Sequence, residues 1–272
     1  MLKISLITNL KLAKAVSMDI IQVITLSIVE GVTEFLPISS TGHMIVLSRL
    51  LNIPQNSIHI NFEITIQLSA ILAVCYQYAE KLRKSLNLWK KIIVSFIPTG
   101  VVGLLFYKEI IHLFSVTTVA LSFILGGIVF LIVEKFYREN KSTTKSLEDI
   151  TYRQSLIVGI AQVFSLIPGT SRSGATIVGG LLSNLDRKTA TEFSFLCAIP
   201  VMLTATLFSI YKNLGKLNTG DIYSLILGFV ITFFITLITV RLFLKYVKRY
   251  NFVPFGIYRI VFGLILLLFF SN

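Results

Sequence analysis

The chain has 272 residues, 54% of them hydrophobic and 14% charged, with a formal net charge of +12. A soluble domain carries about a quarter charged residues, so this composition, with a mean hydropathy of +0.81, excludes an ordinary soluble protein and indicates a polytopic α-helical membrane protein. The lysines and arginines fall in short stretches between apolar runs, a pattern of membrane topology and anionic headgroups that argues against nucleic acid as a partner.

Residues 1–17, "MLKISLITNLKLAKAVS", hold a short apolar stretch broken by Asn9, Lys11 and Lys14. They read as an N-terminal extension, reflecting either an alternative translation start, with Met18 as the true one, or a loosely ordered surface helix, rather than a cleaved signal. Residues 18–272 form one integral membrane domain. Within it, 20–51 runs apolar, then polar around "VEGVTEFLPISSTGH" (29–43), then apolar again. Apolar spans follow at 62–79, 92–107 and 116–133; the broken pattern returns over 154–183, and spans close the chain at 193–211, 222–240 and 255–270. A crossing needs about 20 residues. The second arms of the broken segments, 43–51 and 174–183, have nine or ten, enough for about half the hydrocarbon thickness at 1.5 Å per residue. The predicted fold is therefore all-α, with six transmembrane helices and two re-entrant helical hairpins whose tips lie within protein. Cys75 and Cys197 lie in apolar segments and read as packing residues.

Charge sets the orientation. With 80–91 inside, Lys81, Arg83, Lys84, Lys90 and Lys91 are cytoplasmic, as are Lys135, Arg138, Lys141, Lys145 and Arg153, then Arg187 and Lys188, then Arg241, Lys245, Lys248 and Arg249. The outer loops keep only Lys108, Lys212 and Lys216, in accord with the positive-inside rule. The first hairpin then enters from outside and the second from inside. "LPISSTGH" at 36–43 faces "IPGTSRSG" at 167–174, and Pro37 and Pro168, Phe62 and Phe193, and two Leu-Leu pairs recur at an offset of 131 residues. Two inverted repeats, about 18–133 and 150–272, are expected, with a site where they meet near the midplane.

The tips carry the chemistry. Glu30 and Glu34 share a helix face, and two like charges there call for a metal, an arginine or a shared proton. Pro37 ends that helix, Ser39, Ser40 and Thr41 make the turn, Gly42 allows a close backbone approach, and His43 opens the returning arm. Opposite, Arg172 is a bidentate anion clamp, flanked by Thr170, Ser171, Ser173 and Thr176, with the helix N-terminus near Gly174. Together they suit phosphoryl transfer on a substrate whose tail stays in the membrane. Glu63 and Gln67, one turn apart, fit either a supporting role or simple interhelical bonding. His59 and His112 read as solvated or interfacial, Asp186 and Glu192 as structural, and Tyr76, Tyr78 and Trp89 as interface anchors.

"EGVTEFLPISSTGH" with "PGTSRSGATI" resembles the bacterial undecaprenyl-pyrophosphate phosphatase family associated with bacitracin resistance. "FEITIQLSAILAV" (62–74) and "TEFSFLCAIPVML" (191–203) extend the resemblance, which runs from about Met18 to the C-terminus. It implies a multi-pass enzyme of the bacterial plasma membrane with an outward-facing site. The implied reaction is hydrolysis of undecaprenyl diphosphate to undecaprenyl phosphate and inorganic phosphate, which recycles the carrier for peptidoglycan. It also implies a divalent cation, Mg²⁺ or Ca²⁺. The family's functional positions fall on Glu30, Glu34, Ser39, Ser40, His43, Ser171, Arg172, Ser173 and Thr176. On this reading Arg172 and the tip N–H groups hold the diphosphate, Glu30 and Glu34 bind Mg²⁺, and Ser40 attacks with His43 as base or acid. Water as the nucleophile fits equally, and monomer and homodimer both remain open. A lipid-phosphate transporter or flippase would use the same midplane anion site. The other lipid-phosphate phosphatases need a second downstream histidine in context, which His59 and His112 do not supply.

Overall fold

The computed structural model describes residues 18–53, 57–212 and 222–270; the N-terminal extension and Lys216 lie outside them. Helix α1 (Ile20–Thr33) begins on a capping box, in which Asp19 accepts from the helix start and Gln22 accepts from the Asp19 N–H. Its polarity is inverted relative to a soluble helix. Ser27 and Glu30 are buried while Ile20, Ile21, Ile24, Ile28 and Val32 are exposed, as a helix between lipid and a polar interior requires. Pro37, which removes a backbone donor, sits in the first tip (residues 34–39), and α2 (Ser40–Leu50) returns.

The helices α3 (Ser57–Gln77), α4 (Ala79–Lys84), α5 (Leu86–Leu105), α6 (Tyr107–His112) and α7 (Val116–Phe136) follow. Then come α8 (Tyr152–Val163), a second tip (164–171) and α9 (Arg172–Leu182), and finally α10 (Arg187–Lys212), α11 (Ile222–Val247) and α12 (Val253–Phe270). Among the described residues six helices, α3, α5, α7, α10, α11 and α12, are long and apolar enough to cross a membrane. They extend beyond the apolar windows, to 86–105 and 187–211 for α5 and α10. A hydropathy window stops at the first lysine, but backbone hydrogen bonding does not. Lys91 stays in its helix, buried, because its ammonium donates to the Glu148 carbonyl at 2.7 Å.

The two short helix pairs use the same local devices. Thr151 and Gln154 form a capping box on α8 as Asp19 and Gln22 do on α1. Gln22 Nε2 donates to the Leu51 carbonyl, and Gln154 Nε2 to the Ser183 carbonyl, so each glutamine ties the start of the first helix to the end of the second. Ser39 (φ 64°) and Ser171 (φ 72°) begin α2 and α9 in a region that non-glycine residues rarely adopt, and Asn52 (φ 49°) and Asn184 (φ 65°) follow the helix ends likewise. These pairs are 132 residues apart, whereas Pro37 and Pro168, and Phe62 and Phe193, are 131 apart. Gly169, also at positive φ (89°), follows Pro168 in the second tip.

Packing is close where glycine permits it. A Cβ on Gly159 of α8 would collide with the Ser95 backbone of α5, and backbone cannot rotate away as a side chain can. Gly159→Ala is therefore expected to separate α5 from α8 and destabilise by about 1–3 kcal/mol, read as a lower Tm in detergent. An unchanged melting curve would contradict this packing. At the end carrying the basic loops, Arg187 bridges Glu134 and Glu139 at 2.5 and 2.6 Å, and Glu134 also accepts from the Phe252 N–H. Tyr78 is not an interface anchor. It is buried with its hydroxyl on Glu192, whereas Tyr76 is exposed.

Candidate active site

The tips meet. Ser173 Oγ donates to the Leu36 carbonyl at 2.8 Å, joining α9 to the first tip. Arg172 Nη2 donates to Glu34 Oε1 at 3.1 Å, and its Nη1 to the Ser194 carbonyl at 3.0 Å. The guanidinium lies over the Phe35 ring, 5.1 Å from the centroid. Glu34 Oε2 accepts from Ser40 Oγ at 2.6 Å. A continuous polar chain, Ser40 to Glu34 to Arg172, thus runs from one tip to the other, with each ionic group about one-tenth exposed. At these separations, away from water, a charge-assisted contact is strong and geometrically selective.

Ser40 and Thr41 line a cavity of about 800 Å³ together with Glu30, Ser48, Arg49, Asn52, Glu63 and Gln67. Its lining also includes Phe114 and Ser115, which precede α7 at the end opposite Lys135. Of the residues singled out from sequence, Glu30, Ser40, Thr41, Glu63 and Gln67 line the cavity, and Glu34 and Arg172 stand behind Ser40.

Others are placed differently. His43 does not pair with Ser40. Its Nδ1 bonds the Ser39 carbonyl at 2.7 Å and its Nε2 the Tyr258 hydroxyl at 2.6 Å, while its ring stacks on Phe262. Nδ1 must therefore carry the proton, leaving Nε2 to accept from tyrosine, and the imidazole braces the strained Ser39 turn. Gly42 allows close packing, since a Cβ there would strike the Phe123 ring. Ser171 Oγ accepts from the Gly174 N–H at 3.1 Å, so that helix-terminal donor is already used. Thr176 is fully buried, bonded to the Arg172 and Ser173 carbonyls and to Ser194 Oγ. Thr170 lies in the turn, its N–H bonded to the Ile167 carbonyl. His59 is buried rather than solvated, with Nε2 3.1 Å from Glu63 Oε1. His112 is exposed as expected.

Sequence reasoning passed over Arg49, Ser48, Tyr258 and Arg259. The first two are ordinary helix residues until the cavity forms beside them. Arg259 did carry a signal, because a lone charge within an apolar span is a functional position by default.

A divalent cation is compatible with these residues. Glu30 is 1% exposed and its Oε1 has no hydrogen-bond partner among the described residues, which suits a hard cation far better than it suits an apolar wall. No cluster of three His, Cys, Asp or Glu side chains able to hold a metal occurs among the described residues. A bound ion would therefore draw further oxygens from water and phosphate, as Mg²⁺ commonly does.

The family described as "Bacitracin resistance protein BacA" matches residues 23–265. An undecaprenyl-diphosphatase of Methanococcus aeolicus is 66% identical over 253 residues, covering 93% of this chain and 99% of its own length. Undecaprenyl-diphosphatases of Persephonella marina and Wolinella succinogenes are each 51% identical, covering 93% and 92% of this chain and 99% and 98% of theirs.

Proposed function

The chain belongs to the BacA family of bacitracin resistance proteins, and from that premise we propose how its two tips dephosphorylate undecaprenyl diphosphate. The carrying observation is the Ser40–Glu34–Arg172 chain on the wall of the cavity. Arg172 turns from Glu34 to the terminal phosphate, where its planar fork matches two phosphate oxygens. Glu34 takes the Ser40 proton as Oγ bonds to the terminal phosphorus, and the bridging P–O bond breaks to release undecaprenyl phosphate. Water then attacks the phosphoserine, with Glu34 holding and returning the proton, and inorganic phosphate leaves. His43 acts on this reaction by holding the Ser39 turn from which Ser40 projects. A bound divalent cation would neutralise phosphate charge and polarise the phosphoryl oxygens, with Glu30 as a protein ligand.

Two features support an arrangement of inverted repeats around this site. Helix α1 packs on α11 while α8 packs on α5, and α3 packs on α11 as α10 does on α5. Such an exchange of partners is what two halves related by an axis in the membrane plane would give. The cavity lining reaches Phe114 and Ser115, at the end of α7 remote from Lys135 and from Arg187 beside it, which under the positive-inside rule supports an outward-facing site.

The test is phosphate release from a long-chain isoprenyl diphosphate by the detergent-purified chain, with Mg²⁺ and with chelator. Release that needs the cation and is lost in Arg172→Ala is the expected result. Intact substrate with well-folded wild-type protein would overturn the hydrolase reading and return the cavity to a transport role.

A further inference from the structure

The geometry points to Glu63, together with Glu30, as the carboxylate pair that holds the divalent cation, with Gln67 beside it and Glu34 excluded. For its purpose the inference rests on the phosphatase reading, but the cation site is built from this chain's own residues.

Both Glu34 oxygens already have partners in the other tip or the turn. Oε1 is engaged by Arg172 and Oε2 by Ser40. Glu30 is the opposite case, a buried carboxylate on the cavity wall whose Oε1 has no partner among the described residues. Its charged neighbours are Glu34, which acts on it most strongly and hydrogen-bonds it, then Glu63, with Arg172 opposing them. Of the two carboxylates in that set, Glu63 shares the cavity with it, its side chain 35% exposed. Gln67, one helical turn along α3, brings an amide oxygen to the same wall. Met44, Ile53 and Ile66 line the same cavity, and two carboxylates against such a wall repel unless a cation lies between them. The arginines of the region are committed elsewhere, Arg172 to Glu34 and the Ser194 carbonyl, Arg49 to the Phe270 carbonyl.

Glu63 also has the support that metal carboxylates usually have. His59, buried behind it, places Nε2 3.1 Å from Oε1 and fixes the orientation of the carboxylate. Two carboxylates and an amide oxygen leave several positions for water and for phosphate oxygens, which is the coordination Mg²⁺ prefers. The division of labour is then clear: Glu34 handles the Ser40 proton, and Glu30 with Glu63 handles the cation.

The experiment is Mn²⁺ binding by electron paramagnetic resonance on the detergent-purified full chain, alone and with methylenediphosphonate, a diphosphate that cannot be hydrolysed. Glu30→Gln and Glu63→Gln are each expected to weaken Mn²⁺ binding about tenfold or more, while Glu34→Gln stays within about threefold of wild type. Glu63→Asp keeps the charge but retracts the oxygens, and carries the same test should Glu63→Gln melt early. Equal loss in Glu30→Gln and Glu34→Gln with none at Glu63 would overturn the assignment, as would a wild type that binds no Mn²⁺ in either state. Mn²⁺ binding that needs Glu63, in protein that releases no phosphate, would end the phosphatase reading and leave the cation site. Phosphate release with binding indifferent to Glu63 would do the reverse.

Discussion

Glu34→Gln is expected to lower kcat by about a thousandfold while the protein stays folded. The side chain makes two contacts that matter to the reaction, one to the Ser40 hydroxyl at 2.6 Å and one to Arg172 across the tips. Glutamine keeps the shape but cannot take a proton, and general-base catalysis alone contributes about 10²–10⁴-fold. It also leaves Arg172 without its ion-pair partner before substrate binds, so the clamp loses its resting position. The loss should fall chiefly on kcat, because the proton moves only on the way to the transition state. Ser40→Ala, measured in parallel, separates the two nucleophile readings. If Ser40 attacks, both variants fall together and a phosphoenzyme trapped in wild type disappears. If water attacks, Ser40→Ala retains far more activity than Glu34→Gln. More than a tenth of wild-type kcat in Glu34→Gln would remove Glu34 from proton transfer.

The tips were legible in the sequence because their residue types are costly there. Carboxylates, an arginine, prolines and serines inside apolar segments mark buried polar chemistry whatever the fold. Partner choice was not legible, since it depends on approach between distant segments. Arg172 is 138 residues from Glu34, and nothing local says that Ser40 turns to Glu34 rather than to His43. Sequence spacing favours His43, three residues on and on the same helix. The structure instead points the imidazole toward Tyr258, which comes from α12. His59 misled for a different reason. "SIHINF" follows a loop and reads as one, but α3 begins at Ser57, so His59 falls in its first turn on an inward face. Identical letters, Pro with Pro and Leu-Leu with Leu-Leu, recur at 131 residues. The capping glutamines, the strained serines and the asparagines after the helix ends instead recur at 132.

Arg259→Leu is expected to be the most destabilising single change outside the cavity. Arg259 is fully buried, and all of its hydrogen-bond acceptors are backbone carbonyls. Nη1 donates to Pro37 in the first tip at 3.2 Å, and Nη2 to Gly169 in the second at 3.1 Å and to Ser122 of α7 at 3.0 Å. One guanidinium therefore ties both tips to the helix behind them. Gly126 makes room for it, since a Cβ there would collide with the guanidinium. Leucine leaves those carbonyls facing an apolar side chain, and each buried acceptor so stranded costs about 1–3 kcal/mol. A loss of about 3–5 kcal/mol is a large fraction of ordinary domain stability, and corresponds to a fall in Tm of about 10 °C. Arg259→Lys should fall between wild type and leucine, because an ammonium can donate but cannot span acceptors fixed by a planar fork. Gly126→Ala should move Tm in the same direction without touching any charge. The kinetic reading distinguishes a brace from a mere filler. If Arg259 sets the spacing of the tips, Arg259→Lys that still folds will lose kcat more than it raises KM, because Ser40 and Arg172 then meet the phosphate out of register. A leucine variant that melts within 2 °C of wild type would show that the tips hold each other through Ser173 and Glu34 alone.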